Sequence, residues 1–321
     1  MTLLLDVHSL SVEFPQRRQK LQALDNISFT LNKGEVLGFV GESGAGKSLT
    51  AAAIMGLLEP PGHISGGQIF FEGQSIEKDA SLVRGSQIGM IFQDPLTSLN
   101  PLRTVGDQLV ETIRFHLRFG YGDAVKRANE LLEEVGIAPE RASAFPHEFS
   151  GGMRQRIVIA LALAAEPKLI IADEPTTALD VSIQAQILKL LRRLCQERSA
   201  SVILITHDMG VIAETTDRVA VLYAGRMVEI GATSAVIKDP RHPYTKGLMA
   251  ATPNLDNVSF DTILPQIPGN MPSLDNLPQG CRFHPRCEDA MPCCQAKTPI
   301  FSDGVACHLF SKASINGDDH E

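Results

Sequence analysis

Residues 35–58 read EVLGFVGESGAGKSLTAAAIMGLL. A short apolar run, a glycine-rich turn and an alanine-rich apolar stretch follow one another, which is the order strand, loop, helix. The octet GESGAGKS at 41–48 fits G-x-x-x-x-G-K-S in the context that pattern requires. Gly41, Gly44 and Gly46 let the backbone turn, so that the N–H groups of the stretch Glu42, Ser43 and Ala45 can point at phosphate oxygens while the following helix adds its positive end. Lys47 is placed to reach the β- and γ-phosphates of a nucleoside triphosphate. The Ser48 hydroxyl suits Mg²⁺, and Leu49 closes the nucleotide-binding stretch.

Working outward, KLIIAD (168–173) and SVILIT (201–206) are short and rich in β-branched residues, with helical patterns before and after them. Strands alternating with helices predict an α/β fold whose P-loop core is a parallel sheet covered on both faces. The stretch LIIADEP (169–175) is an apolar strand ending in two carboxylates. Asp173 is placed to hold Mg²⁺, directly or through water. Glu174 can polarise an attacking water, and a base of this kind contributes about 10²- to 10⁴-fold.

Residues 1–35 alternate apolar and polar positions in two runs separated by PQRRQK, which predicts an N-terminal antiparallel β subdomain with Arg17, Arg18 and Lys20 in a solvated turn. Beyond IFQDPLTSLNP (91–101) the spacing turns helical as far as Glu166, a helical subdomain inserted at about 95–165. After Gly231 come short helices, then LPQIPGNMPSLDNLP (264–278), which reads as an extended linker. The predicted division is a nucleotide-binding domain over 1–235 and a small cysteine-rich extension over 236–321.

With 321 residues, 44% of them hydrophobic, the chain can bury an ordinary globular core. Its 29 Lys and Arg against 37 Asp and Glu leave a net charge of −8, so no general basic footprint for a nucleic-acid backbone is present. The start, MTLLLDVHSL, lacks a basic leader and places Asp6 in its apolar run, and IVIALALAA (157–165) falls short of the roughly 18 residues a membrane span needs. A soluble chain in a reducing cytosol is expected. There, clustered cysteines are more often metal-binding or catalytic than disulfide-bonded.

FSGGMRQR (149–156) places Ser150 as an N-cap, with Gly151 and Gly152 in the first turn of a helix whose bare N-terminus can donate to an anion. Lying after IFQDP and before LIIADEP, it resembles the signature sequence of ATP-binding-cassette proteins. Over about residues 5–235 the whole ordered set is similar to that family. The set comprises GESGAGKS, the glutamine loop at Gln93, FSGGMRQR, LIIADEP, the D-loop at Ala178, Leu179 and Asp180, and the switch histidine His207 in ITHD. The resemblance implies a head-to-tail dimer with ATP between one subunit's phosphate loop and the other's signature helix, where Ser150, Gly151, Gly152 and Gln155 lie. It further implies that Gln93 couples Mg²⁺ and the γ-phosphate to a membrane partner, that Ser48, Gln93 and Asp173 surround Mg²⁺, that His207 contacts the γ-phosphate beside Glu174, and that Asp180 borders the nucleotide. Phe14 matches the position whose ring stacks on adenine. Phe149 departs from the family's usual Leu and reads as a packing variant.

Repair members of the family carry coiled coils or zinc insertions, and translation members carry two cassettes. This chain has neither. IFQDPLTSLNP, DEPTTALDVSIQAQIL, PRHPYTKGLM (240–249) and GCRFHPRC together resemble the ATPase subunits of bacterial dipeptide and oligopeptide importers. The group also includes importers of nickel chelates, glutathione and antimicrobial peptides. It implies two permease subunits, an extracytoplasmic binding protein, a paralogous second ATPase forming a heterodimer, and a peripheral place on the cytoplasmic face of the cell membrane.

The family tail suggests that Cys281, Cys287, Cys294 and Cys307 act together, in the spacing C-x5-C-x6-C-x12-C, with Cys293 as an extra neighbour. Structural zinc sites typically use closer C-x2-4-C pairs, whereas four widely spaced thiolates with turns at Pro285, Pro292 and Pro299 suit an iron–sulfur cluster. Members of the importer group carry a four-iron four-sulfur cluster in the matching segment. Zinc and reduced free thiols are the competing readings. Cys195 reads as a plain buried thiol, and His284 and His308 as packing or hydrogen-bonding neighbours.

Overall fold

A computed structural model describes residues 2–16, 19–177, 179–252 and 265–310. The turn residues Arg17 and Arg18 and the D-loop residue Ala178 lie outside them. In chain order the regular elements begin with β1 (Leu3–Pro15), β2 (Lys20–Asn32), β3 (Val36–Val40), α1 (Lys47–Met55), β4 (His63–Phe71), β5 (Gln74–Ser75) and β6 (Ile88–Ile91). Then come α2 (Pro95–Ser98), α3 (Val105–Leu117), α4 (Tyr121–Glu134), α5 (Gly151–Leu163), β7 (Leu169–Asp173), α6 (Val181–Glu197) and β8 (Ser201–Ile205). The last are α7 (Met209–Thr215), β9 (Arg218–Tyr223), β10 (Arg226–Ala232), α8 (Thr233–Lys238), α9 (Pro243–Ala250) and α10 (Pro292–Ala296).

Two compact units divide the chain. The first comprises Met1–Leu5, Leu31–Val36 and Phe71–Ile205. Its centre is parallel: β6 pairs with β7 from Ile88 opposite Leu169, and β7 with β8 from Leu169 opposite Ser201. Every residue of β7 and β8 is buried, as expected of parallel strands whose apolar side chains fill both faces. The helical insertion follows its pattern. In α3 the buried Val105, Leu109 and Ile113 recur every fourth residue, and the helix starts at Thr104, whose hydroxyl accepts the Asp107 N–H at 3.1 Å. In α4 the buried stripe is Ala124, Ala128, Leu131 and Leu132.

The second unit comprises Asp6–Thr30, Leu37–Phe70 and Thr206–Glu321. Here β1 lies between β2 and β4. The Ser9 N–H meets the Ser28 hydroxyl and the Asn26 N–H meets the Ser11 hydroxyl, so β1 and β2 run antiparallel. β3 runs parallel to β9, and β9 antiparallel to β10. A core of Val40, Ile212, Val221, Tyr223, Tyr244 and Phe283 fills the space beside these strands. The stretch expected to be a free linker differs from that expectation. From Pro265 to Pro278 it has no helix or strand, yet Ile267, Met271 and Leu277 pack onto this core, because apolar residues spaced every few positions gain by burial.

Candidate functional site

The phosphate loop lies in the second unit. β3 ends at Val40 and α1 starts at Lys47, with Gly46 as a left-handed N-cap at φ +103. Gly41 is held tighter: a Cβ there would sit 2.3 Å from the Leu222 carbonyl oxygen. Between them Ser43 and Gly44 are exposed, and Ser48 is exposed in the first turn of α1. Leu49 is half-buried behind them. Lys47 is only 5% exposed, and its ammonium donates to the carbonyls of Gly41 and Glu42 at 2.8 and 3.0 Å. A buried ammonium needs such acceptors.

His207 is exposed directly after Thr206, whose N–H donates to the Phe39 carbonyl at 3.0 Å, while Asp208 caps α7 by accepting the Gly210 N–H at 2.7 Å. The backbone on both sides of His207 is therefore fixed. Phe14 is half-buried at the end of β1, where its ring lies over Gly62 so closely that a Cβ there would approach it to 2.5 Å.

The carboxylates Asp173 and Glu174 lie in the first unit. β7 delivers Asp173, 9% exposed, at its last position. Glu174 follows in the left-handed region at φ +46, its N–H donating to the Ile205 carbonyl at 2.9 Å. For a residue with a Cβ this conformation is unfavourable, and such strain collects where a side chain must be aimed. The Glu174 carboxylate accepts from the Gln93 amide at 3.2 Å and the Thr177 hydroxyl at 2.8 Å, so two residues 81 positions apart are brought together. Gln93 itself is exposed just after β6, and Phe92, Leu96 and Leu102 in the same stretch of chain are 43%, 57% and 85% exposed.

The helix α5 begins after Ser150, which occupies the N-cap position without a side-chain capping bond, so its first N–H groups are left for another acceptor. Ser150 and Gly151 are exposed. Gly152 faces α6, where a Cβ would meet the Ile183 side chain at 2.9 Å, so close helix approach alone requires a glycine there. Gln155 lies on the buried side, 1% exposed, with its amide nitrogen lacking a partner among the described residues. Phe149 is 3% exposed beneath the Arg141 guanidinium, 4.2 Å from the ring centre. Asp180 is the exposed N-cap residue of α6.

In the second unit Cys281, Cys287, Cys294 and Cys307 line one small cavity of about 10 Å³ together with His242, whereas Cys293 is not part of its wall. All six cysteines are free thiols. Burial pushes the four lining thiols up, Cys287 to about 11, so they are protonated until something electrophilic replaces the proton. The four cysteines are thiol donors of the kind an iron–sulfur cluster uses, while the space they line has room for about one water. The tightest cluster of donor atoms is a different one, with Cys293, Cys294 and His308 within 4.8 Å of one another. His284 and His308 bond the carbonyls of Cys281 and Lys297 at 2.8 and 2.9 Å. Cys195 is fully enclosed in α6, and burial raises its thiol to about 12.

The Glu42 N–H, expected to face a phosphate, donates instead to the Tyr244 hydroxyl at 2.8 Å, and its carboxylate accepts from Arg286; the sequence gives no particular role to Arg286 or Tyr244. Only an arginine beside a cysteine, Arg286 before Cys287, could have hinted at it.

The family described as ABC transporter matches residues 24–177, and the family described as oligopeptide/dipeptide transporter, C-terminal region, matches residues 228–294. The oligopeptide transport ATP-binding protein OppD of Bacillus subtilis (strain 168) is 53% identical over 298 residues, covering 91% of this chain and 83% of that protein. OppD of Salmonella typhimurium is 48% identical over 310 residues, covering 94% and 92%. Among solved structures, the dimeric post-hydrolysis state of the ATP-binding cassette MJ0796, bound to ADP and Pi, superposes with a TM-score of 0.64 at 27% identity, covering 72% of this chain and 99% of that one. CbiO1 of Clostridium perfringens, part of the transporter complex cbiONQ, gives 0.65 at 29%, covering 74% and 92%.

Proposed function

The chain belongs to the ABC transporter ATP-binding subunits, and on that premise we propose that it hydrolyses ATP to drive uptake of di- or oligopeptides through separate permease subunits. The observation that carries the reading is the double match. A cassette alone would serve any transporter, and the C-terminal region at 228–294 adds the oligopeptide group.

In the proposed mechanism the Lys47 ammonium exchanges its two carbonyl acceptors for the β- and γ-phosphate oxygens, charge-assisted bonds of roughly twice the strength. Ser48 and Asp173, with Gln93, would hold Mg²⁺, which when bound draws negative charge off the phosphates. Glu174, oriented by Gln93 and Thr177, accepts a proton from the attacking water as its oxygen bonds the γ-phosphorus and the bond to the ADP oxygen breaks. His207 steadies the γ-phosphate. The Ser150 to Gly152 turn, with Gln155 and Asp180 near it, serves the composite site formed with a second, paralogous ATPase, and Phe14 stacks on adenine.

Residues 1–235 form the cassette and 236–321 the extension in this reading. No helix among the described residues is long and apolar enough to cross a membrane. In this reading, which rests on the family, the chain works as a peripheral subunit on the cytoplasmic face, and the exposed Phe92, Leu96 and Leu102 supply an apolar surface for a permease helix. An extracytoplasmic binding protein delivers the peptide. Cys281, Cys287, Cys294 and Cys307 would hold a four-iron four-sulfur cluster, which would supply cross-links to a segment with little core of its own.

The test is Glu174→Gln in the assembled transporter. ATP binding should persist while peptide-stimulated hydrolysis falls about 10²- to 10⁴-fold. Rapid turnover in that variant would remove Glu174 from the role of base. Full peptide-stimulated turnover by the chain without permeases would sink the transporter reading.

A further inference from the structure

Glu42 carries a carboxylate into a loop built to hold phosphates, and the second unit deals with that charge in a specific way. The Arg286 guanidinium donates two bonds to it, at 2.8 and 3.0 Å. Arg286 is itself 8% exposed and fixed from behind, its Nε donating to the Pro268 carbonyl at 2.7 Å and one Nη lying 3.4 Å from the Tyr223 hydroxyl. The Glu42 N–H donates to the hydroxyl of Tyr244, fully buried, at 2.8 Å. The Glu42 carbonyl accepts from Lys47. One loop residue is thus held by its amide, its carbonyl and its side chain.

Both holding side chains come from the C-terminal region. Arg286 stands on the short turn His284–Arg286, tied at one end by the His284 N–H to the Cys281 carbonyl at 3.1 Å and at the other by the Cys287 N–H to the His284 carbonyl at 3.3 Å. Cys281 and Cys287 are two of the cavity-lining thiols. Without Arg286, a half-buried carboxylate would stand in the loop with no guanidinium to neutralise it. It would oppose a triphosphate a few ångströms away, where effective screening is well below that of water.

We propose that the cysteine-bearing segment is a positioning arm for the phosphate loop, in which Arg286 neutralises and draws aside the Glu42 carboxylate while Tyr244 fixes the Glu42 amide, so that the arm sets ATP affinity. This rests on the nucleotide reading of the loop. Arg286 and Tyr244 are positioning residues and touch no phosphate.

The experiment is calorimetric titration of the full chain with MgATP. Arg286→Ala should weaken binding about tenfold, the scale of one unscreened like charge at close range. Adding Glu42→Gln to that variant should restore affinity to within about threefold of the wild type, since the repelling charge is then gone. A strut without an electrostatic role would give no such rescue, so an equally weak or weaker double variant overturns the proposal. Unchanged affinity in Arg286→Ala overturns it alone. Failure of the wild type to bind MgATP overturns the nucleotide reading as well. Should Arg286→Ala not fold, Tyr244→Phe removes only the hydroxyl that accepts the Glu42 N–H. Its affinity should fall about threefold, and an unchanged value would overturn the arm.

Discussion

Acid should loosen this chain at His242, and by an amount that can be worked out. The imidazole is 1% exposed, caps α9 by accepting the Tyr244 N–H on Nδ1 at 3.0 Å, and tilts against the Phe283 ring at 5.7 Å. Its backbone N–H donates to Glu229, whose carboxylate is also taken up by the Arg241 N–H. Burial lowers the His242 pKa from 6.5 to about 4, because a buried imidazolium would lose its hydration and Nδ1 would lose its place as acceptor. The unfolded chain thus takes up a proton near pH 6.5 that the folded chain refuses until about pH 4. The neutral form's contribution is complete above 6.5 and is lost as the pH falls through that window. From pH 7 to pH 5 the loss is about 2 kcal/mol, roughly 4–8 °C in Tm for a domain of this order of size. Thermal melts of the wild type and His242→Asn at the two pH values provide the assay. Asparagine keeps an acceptor at the cap but does not titrate, so its Tm is lower at pH 7 from lost packing and falls less on acidification. The other histidines cancel in the difference between the two slopes. Equal slopes would refute the assignment.

Two further outcomes are expected. Phe149→Leu should cost less than about 1.5 kcal/mol in thermal or urea unfolding, while Phe149→Ala should cost about 3–5 kcal/mol by opening a cavity beneath Arg141; equal costs would show that the ring does not fill that space. Anaerobically purified protein should contain iron and acid-labile sulfide that Cys281→Ser, Cys287→Ser, Cys294→Ser or Cys307→Ser removes and Cys195→Ser leaves, and a colourless preparation with stoichiometric zinc would replace the cluster by a zinc site.

What was legible beforehand was whatever depends on neighbours in sequence. The strand, loop and helix around GESGAGKS, the buried LIIAD strand and the stripes of α3 and α4 follow from local periodicity, because each element's backbone bonds and apolar face are fixed within a few residues of one another. The role of Gly152 was legible only in part. Its place in the signature suggested anion binding, and the nearness of Ile183 adds a packing reason that needs α6 in position. The left-handed Glu174 was not legible at all. Nothing in DEP requires φ +46, which is set by the Ile205 carbonyl accepting its N–H.

The segment 265–278 shows why composition misleads in such places. Proline excludes helix and favours extension, so LPQIPGNMPSLDNLP reads as a spacer. Yet an extended chain exposes its carbonyls, and here those of Pro268 and Ile267 receive Arg286 while Ile267 packs on the core. Extension is therefore what lets the segment work, since a helix would have spent those carbonyls internally. Distance along the chain likewise hides the partnership of Glu42 and Arg286, 244 positions apart. A glutamate at a variable position of a phosphate loop carries no signal by itself, and an arginine between two cysteines reads as part of the cysteine motif. Their meaning is relational: a buried guanidinium with five donors is tolerated only where acceptors converge, and the loop carboxylate, the Pro268 carbonyl and the Tyr223 hydroxyl supply that convergence. Arg286 thus pairs the loop's one carboxylate from a turn bracketed by two cavity-lining cysteines.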